Sequence, residues 1–99
     1  MLTPLRSILK SAAKSLGLER AANAAFVAEL WPEVAGLEAA AHTRVRGLRG
    51  RTLLIDTEPG PWAQDLTAQR ARYVREINRR VGEDVDVVEE IRFQQRPLK

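Results

Sequence analysis

The hydrophobic spacing of this 99-residue chain changes three times: from helical to alternating at Thr43, back to helical after residues 59–61, and to alternating again at residue 85. Before Thr43 the apolar residues recur every three or four positions, which is typical of helices. Residues 52–57, TLLIDT, are instead apolar and β-branched, and the PGP sequence at 59–61 ends that segment. We therefore expect a single domain over residues 1–99 that combines helices with strands.

The N-terminal part of the chain, residues 4–41, is predicted to form helices. Thr3 and Pro4 supply a capping hydroxyl and a first-turn proline, and the apolar spacing that follows predicts a helix over residues 4–16. A second helix begins near residue 19. Because Pro32 lacks a backbone N–H and disfavours helical geometry in the residue before it, we expect a kink or restart there, with Gly36 as a second candidate break.

The remaining elements are predicted from the alternation and the turn residues. A β-hairpin, residues 42–58, is expected to pair strands at 42–48 and 51–58. A long helix follows over residues 61–81, with Gly82 as its C-terminal cap. The last strand is predicted over residues 85–94, where apolar side chains alternate with polar ones.

These elements follow the order α-α-β-β-α-β and predict an α+β fold of two layers, in which helices cover one three-stranded sheet. If the second and third strands run parallel, the helix between them should make a right-handed crossover. The alternation does not decide which strand takes the centre of the sheet.

Composition excludes several classes of function. Without cysteine the chain has no disulfides, thiolate zinc sites or cysteine nucleophiles, and no apolar run is long enough to cross a membrane. His42 is the only histidine, and no serine, cysteine or carboxylate pattern around it indicates a catalytic triad or metal site. We therefore expect a structural role for His42, no enzyme activity, no cofactor or metal, and a cytoplasmic protein without a secretory signal.

Arginine placement is the most informative functional feature. Of the 16 basic residues 13 are arginine, whose planar guanidinium binds phosphate through two N–H groups. Nine arginines fall in residues 44–51 and 69–80, where the local positive charge would attract a polyanion, although an ordinary solvated surface would have the same pattern. Arg70 stands apart because it projects into the apolar arc of the predicted helix. The candidate phosphate-binding residues are Arg44, Arg46, Arg49, Arg51, Arg72, Arg75, Arg79 and Arg80.

Two further patterns have alternative interpretations. The GLRG sequence at residues 47–50 matches the GxxG loop with which KH domains clamp a nucleic-acid backbone, but here it joins two predicted strands, which favours a hairpin turn. Trp31, beside the helix-breaking Pro32, is either a core residue or an anchor for a partner protein. Trp62 heads the apolar stripe of the long helix and is first of all a core residue.

Short motifs distributed over residues 27–94 resemble the DciA family of bacterial replicative-helicase operators. The motifs agree with the family in order and spacing. They are LWPEVAG at residues 30–36, HT at 42–43, GRTL at 50–53, WAQDL at 62–66, IN at 77–78 and IRF at 91–93.

The resemblance implies a KH-like domain, similar to the N-terminal domain of the initiator DnaA. It also implies a non-enzymatic replication protein that binds single-stranded or forked DNA and the helicase DnaB, and promotes helicase loading. Trp62 lies in the segment that matches the family's Trp-Ala-Gln sequence, and with Trp31 it is a candidate contact for the helicase. Because the sequence ends at Lys99, without the extension that many members carry, we expect helicase contact through the folded domain or through a helix that forms on binding. A protein-interaction adaptor without a nucleic-acid ligand and a KH-type RNA-binding module are the alternatives.

Overall fold

A computed structural model describes residues 19–82 and 87–98 of the chain. The predicted first helix, residues 4–16, lies outside this part. The described elements confirm the α+β class and the order α-α-β-β-α-β, with the last helix divided in two. They are α1 (Glu19–Ala35), α2 (Leu37–Ala41), β1 (Thr43–Arg49), β2 (Thr52–Thr57), α3 (Trp62–Ala68), α4 (Arg70–Val81) and β3 (Glu90–Gln95). None of the described helices is long and apolar enough to cross a membrane.

The helix break near the end of α1 occurs at Gly36. The predicted kink or restart at Pro32 is wrong as a boundary, because α1 continues through Pro32 to Ala35. A proline within a helix removes one donor, and this helix tolerates that loss, whereas Gly36 adopts φ 94° and leaves the helical conformation altogether. The Gly36 N–H still donates to the Pro32 carbonyl at 2.9 Å, which closes the last turn of α1.

The sheet has the order β1-β2-β3, so β2 takes the central position that the sequence left undecided. β1 and β2 form the predicted hairpin, antiparallel and joined by a tight turn at residues 50–51, while β2 and β3 run parallel. The GLRG segment therefore lies at the end of a strand and in a hairpin turn, which confirms the hairpin interpretation over the KH-type loop. A bulge places Arg46 as an extra residue in β1, and Gly47 beside it has φ 152°, a conformation that favours glycine.

The predicted helix over residues 61–81 is divided at Gln69, whose φ of −106° and ψ of 9° separate α3 from α4. Leu66 before the break and Tyr73 after it are both buried. Arg70, which the spacing of one continuous helix places in the apolar arc, is exposed at the first position of α4 and makes no ion pair with a described residue. As predicted, α4 ends at Gly82, which caps it in the left-handed conformation with φ 72°.

The third strand begins at Glu90 rather than at residue 85, and Asn78 provides the reason. Its side-chain oxygen accepts hydrogen bonds from the backbone N–H groups of Val87 and Val88, both at 3.0 Å. Its amide donates to the Val88 carbonyl at 2.7 Å. Val87 and Val88 are therefore held by α4, whereas the Glu89 N–H donates to the Arg51 carbonyl of the hairpin turn at 2.8 Å.

The core lies between the helices and one face of the sheet, and Trp31 joins the two layers. Its side chain is 2% exposed, and its indole N–H donates to the Thr43 hydroxyl at 2.8 Å. The Tyr73 ring packs edge-on against it with centroids 5.2 Å apart. The Thr43 hydroxyl donates in turn to the Ala39 carbonyl at 2.9 Å, so it links α1, α2 and β1.

The Thr43 hydroxyl is expected to contribute measurably to stability. Thr43→Val keeps the shape but leaves the buried indole N–H of Trp31 unpaired, which should lower the free energy of unfolding by about 1–3 kcal/mol. Thr43→Ser retains the hydroxyl and should lose less. Urea unfolding of both variants tests this expectation, and equal losses would show that the hydrogen bond contributes little.

Candidate nucleic-acid interface

One face of the sheet carries no helix among the described elements. Side chains alternate along each strand, and those of Leu53, Ile55 and Ile91 enter the core. The alternate positions point away from the helices and, with Arg46 at the bulge and Arg96 just after β3, define what we call the open sheet face. Its members are Arg44, Arg46, Gly47, Arg49, Thr52, Leu54, Asp56, Glu90, Arg92, Gln94 and Arg96.

The hairpin arginines differ in their pairing. Arg44 and Arg49 are exposed and make no hydrogen bond or ion pair with any described residue. Arg46 donates from Nε to Asp56 Oδ2 at 2.9 Å, and its Nη2 lies at the same distance from that oxygen. Arg51 is bound at the turn, where Nη1 lies 3.0 Å from Glu89 Oε2. Two of the four therefore remain available for an external anion.

Sequence reasoning missed two arginines of the open sheet face, Arg92 and Arg96. Arg92 pairs across the sheet with Leu54 and is exposed, without a partner among the described residues. Arg96 follows β3, and its N–H donates to the Thr57 carbonyl at 2.9 Å. The alternation of residues 90–94 predicts that Arg92 points to the face of the strand away from Ile91 and Phe93. Only the pairing of β3 with β2 brings Arg92 beside the hairpin.

Asp56 is a buried carboxylate at the centre of this basic surface, with a side chain that is 6% exposed. Arg46 holds one oxygen through the two contacts described above. The other oxygen, Oδ1, is buried and accepts no hydrogen bond, and Arg96 Nε lies 3.9 Å from it. Asp56 therefore lies between the guanidinium groups of Arg46 in β1 and Arg96 just after β3, and it binds the first of them closely.

The arginines of α4 form a second basic surface on the other side of the sheet. Arg72, Arg75 and Arg79 are exposed on the helix face that points away from the core, as predicted. Arg72 donates to the Gln69 side chain at 2.9 Å and lies over the Tyr73 ring. Arg75 and Arg79 border a shallow depression at the helix surface.

Glu76 neutralises part of the α4 surface. It accepts hydrogen bonds from Arg79 and Arg80, and Arg80 also approaches Glu33 at 3.8 Å. The hydrogen bond from Arg79 is the main cause of a lowered pKa for Glu76, against a smaller opposing effect of burial, and it raises the pKa of Arg79. Two of the five arginines in this segment are thus paired with an acid of the same helix.

The two predicted arginine groups are not brought together. The arginine side chains of β1 project from one face of the sheet, whereas α4 packs on the opposite face and turns its arginines outward. The thickness of both layers therefore separates the two groups, and they form two surfaces. A single contact made by all eight predicted arginines is incompatible with this geometry.

The two candidate partner residues, Trp31 and Trp62, have different environments. Trp31 is a core residue, as its burial shows, and has no surface for a partner. Trp62 is half-buried and stacks on the His42 ring, with centroids 4.7 Å apart and planes inclined by 19°. The His42 Nδ1 lies 2.8 Å from Glu58 Oε1, and the His42 backbone caps α2. His42 therefore has a structural role in joining α2, the end of β2 and α3.

Among the described residues, no three His, Asp or Glu side chains come close enough to hold a metal ion. The fold and its surfaces define a small α+β domain whose exposed arginines lie on two sides of one sheet. The chain belongs to the DciA family: the model of the family described as "Dna[CI] antecedent, DciA" matches residues 4–93. Curated proteins offer no match to the sequence.

Proposed function

We propose that this protein is a non-enzymatic accessory factor of bacterial DNA replication, which acts in the cytoplasm, binds DNA and the replicative helicase DnaB, and promotes helicase loading. The family match over residues 4–93 carries this proposal, since the family is linked to a helicase-loading role. No step of the proposal requires a cofactor.

The exposed arginines support the DNA part of the proposal. Guanidinium groups bind phosphate oxygens in a fork geometry, and every phosphate that they neutralise releases counterions from the DNA. Arg44, Arg49 and Arg92 are exposed without an internal partner in the described structure. Such groups can bind phosphate without first breaking an ion pair.

For the helicase, the surface around Trp62 is the best-supported contact. Trp62 and His42 are both half-buried, so each aromatic side chain is partly accessible to solvent. Leu37, at the start of α2, is 81% exposed and is the large apolar side chain that the described structure leaves most open to solvent. Tryptophan is among the residue types that contribute most to the binding energy of protein contacts, which favours Trp62.

A titration of labelled single-stranded and forked DNA at several salt concentrations tests the DNA part. We expect the affinity to fall steeply with salt, as phosphate binding requires. A pull-down of helicase with and without nuclease separates direct contact from contact through DNA. In an unwinding assay on forked DNA, the protein should stimulate helicase at sub-saturating concentration. Affinity that ignores salt, or an absence of stimulation, would contradict the proposal.

The adaptor alternative is supported by the ion pairs that already occupy Arg46, Arg51, Arg79 and Arg80, which leave fewer cations for DNA. It predicts that helicase contact survives nuclease and that no DNA binding is found. The described structure does not favour the KH-type RNA alternative, because the GLRG segment lies at the junction of two strands and not of two helices.

A further inference from the structure

We propose that the open sheet face is the surface that binds an unpaired DNA strand, and that Asp56 is a positioning residue that holds two of its arginines in place. The inference rests on the proposed function for DNA as the ligand. It adds which of the two basic surfaces binds, which form of DNA binds there, and how the surface is organised.

The arrangement of the arginines without an acidic partner among the described residues distinguishes the open sheet face from the α4 surface. On the sheet, Arg44 and Arg49 on β1 and Arg92 on β3 make no hydrogen bond or ion pair with a described residue, and they flank β2 from both sides. Neighbouring strands are about 4.8 Å apart, so the two rows of arginine backbones lie about 10 Å from each other. On α4, Glu76 is shared by Arg79 and Arg80. Each surface therefore has three arginines without a described acidic partner, which on α4 are Arg70, Arg72 and Arg75, but only those of the sheet lie on both sides of a strand.

The sheet surface between these arginines, around Leu54 and Gly47, favours an unpaired strand over a duplex as the ligand. Leu54 lies at the centre of the face, half-buried, and its neighbours across the sheet are Gly47 and Arg92. Gly47 has no side chain, and a Cβ atom at that position would meet nothing within 4 Å. A base of an unpaired strand can pack its apolar face against this surface, whereas the base faces of a duplex are stacked inside the double helix.

Asp56 gives this surface a fixed geometry. A carboxylate that is 6% exposed must be paired to be stable, and the cations near it are Arg46 and Arg96. Arg46 uses Nε and Nη2 for one carboxylate oxygen, so its Nη1 has no described partner and can donate to a phosphate. A guanidinium that is already held loses less conformational entropy when it binds an anion.

The surface is tested with two triple variants of equal charge. Arg44, Arg49 and Arg92 are changed to Gln in one, and Arg72, Arg75 and Arg79 in the other, and both are titrated with fluorescent oligo-dT. The sheet variant should lose affinity by about tenfold or more, and its salt slope should fall by about 2, since each single-strand phosphate contributes about 0.7. The α4 variant should lose less than about threefold.

The positioning role is tested by two variants that each remove one negative charge from the open sheet face. Glu90→Gln removes an exposed carboxylate and should tighten oligo-dT binding about twofold through electrostatics alone. Asp56→Asn changes the net charge by the same amount, but it also removes the carboxylate that holds Arg46 and Arg96. It should therefore weaken oligo-dT binding severalfold. Tighter binding by Asp56→Asn than by the native protein would overturn the positioning role.

Because Asp56→Asn affects a buried group, Arg46→Lys provides a second test. It keeps the charge on an exposed side chain but cannot donate twice to one carboxylate oxygen from a rigid fork. We expect about threefold weaker binding in a protein that still unfolds cooperatively, and native affinity would contradict positioning.

The outcomes separate the inference from the proposed function. A larger loss in the α4 variant than in the sheet variant would overturn the inference and leave DNA binding intact. Tighter binding of a duplex of the same length than of oligo-dT would reject the unpaired strand as ligand. Absence of salt-dependent binding by the native protein would overturn both.

Discussion

Trp31→Ala is expected to lower the free energy of unfolding by about 3–5 kcal/mol, the range found when large aromatic side chains are removed from a core. Trp31 is 2% exposed and contacts the rings of Tyr73 and Phe93, so its removal leaves a cavity at the junction of α1, α4 and β3. It also leaves the Thr43 hydroxyl without its donor. Small domains have total stabilities of about 5–15 kcal/mol, so a large fraction would be lost.

Thermal unfolding followed by circular dichroism measures this effect. For a domain of this size a loss of 1 kcal/mol lowers Tm by about 4–8 °C, so we expect a fall of more than about 12 °C. Leu37→Ala is the matched control, because Leu37 is 81% exposed and its truncation should change stability by less than about 0.5 kcal/mol. Similar changes in the two variants would contradict the assignment of Trp31 to the core.

Asn78→Ala has the second largest expected effect, a loss of about 2–4 kcal/mol. Its side chain makes three hydrogen bonds to the backbone of Val87 and Val88. Each of these partly buried backbone groups would be left without its partner. Val88 is fully buried, so the segment that leads into β3 depends on this attachment to α4.

Asn78→Asp is the informative comparison. It retains an acceptor for both N–H groups but loses the donor to the Val88 carbonyl, so it should lose roughly half as much stability at neutral pH. Urea unfolding gives the stabilities, and amide exchange should be faster at Val87 and Val88 in Asn78→Ala. Native exchange rates at both amides would show that the side chain does not hold this segment.

Much of the candidate site could be predicted because strands and helices leave local patterns. The alternation around Thr52–Thr57 located the hairpin, and the helical spacing after residue 61 put Arg72, Arg75 and Arg79 on an exposed face. These properties depend on residues a few positions apart. The family motifs are of the same local kind, and they led to the family that the comparison confirms.

The role of Asp56 could not be predicted, because it depends on residues 10 and 40 positions away in sequence. In the chain Asp56 is one acid in an apolar strand, and only the bulge at Arg46 and the parallel pairing of β3 bring two guanidinium groups to it. Trp31 is similar, since the sequence left it as either a core residue or an anchor for a partner, and only the packing of α1 against β1 and α4 placed it in the core.

By itself the sequence determined the class of each element, the faces that are buried, the positions of the arginines and the family. Tertiary structure decided that β2 is central, that the last helix breaks at Gln69, and that the arginines divide between two opposite surfaces. The physical reason is range: hydrophobic spacing records which way a side chain points within its own element, whereas strand order and the meeting of distant charges depend on how whole elements pack.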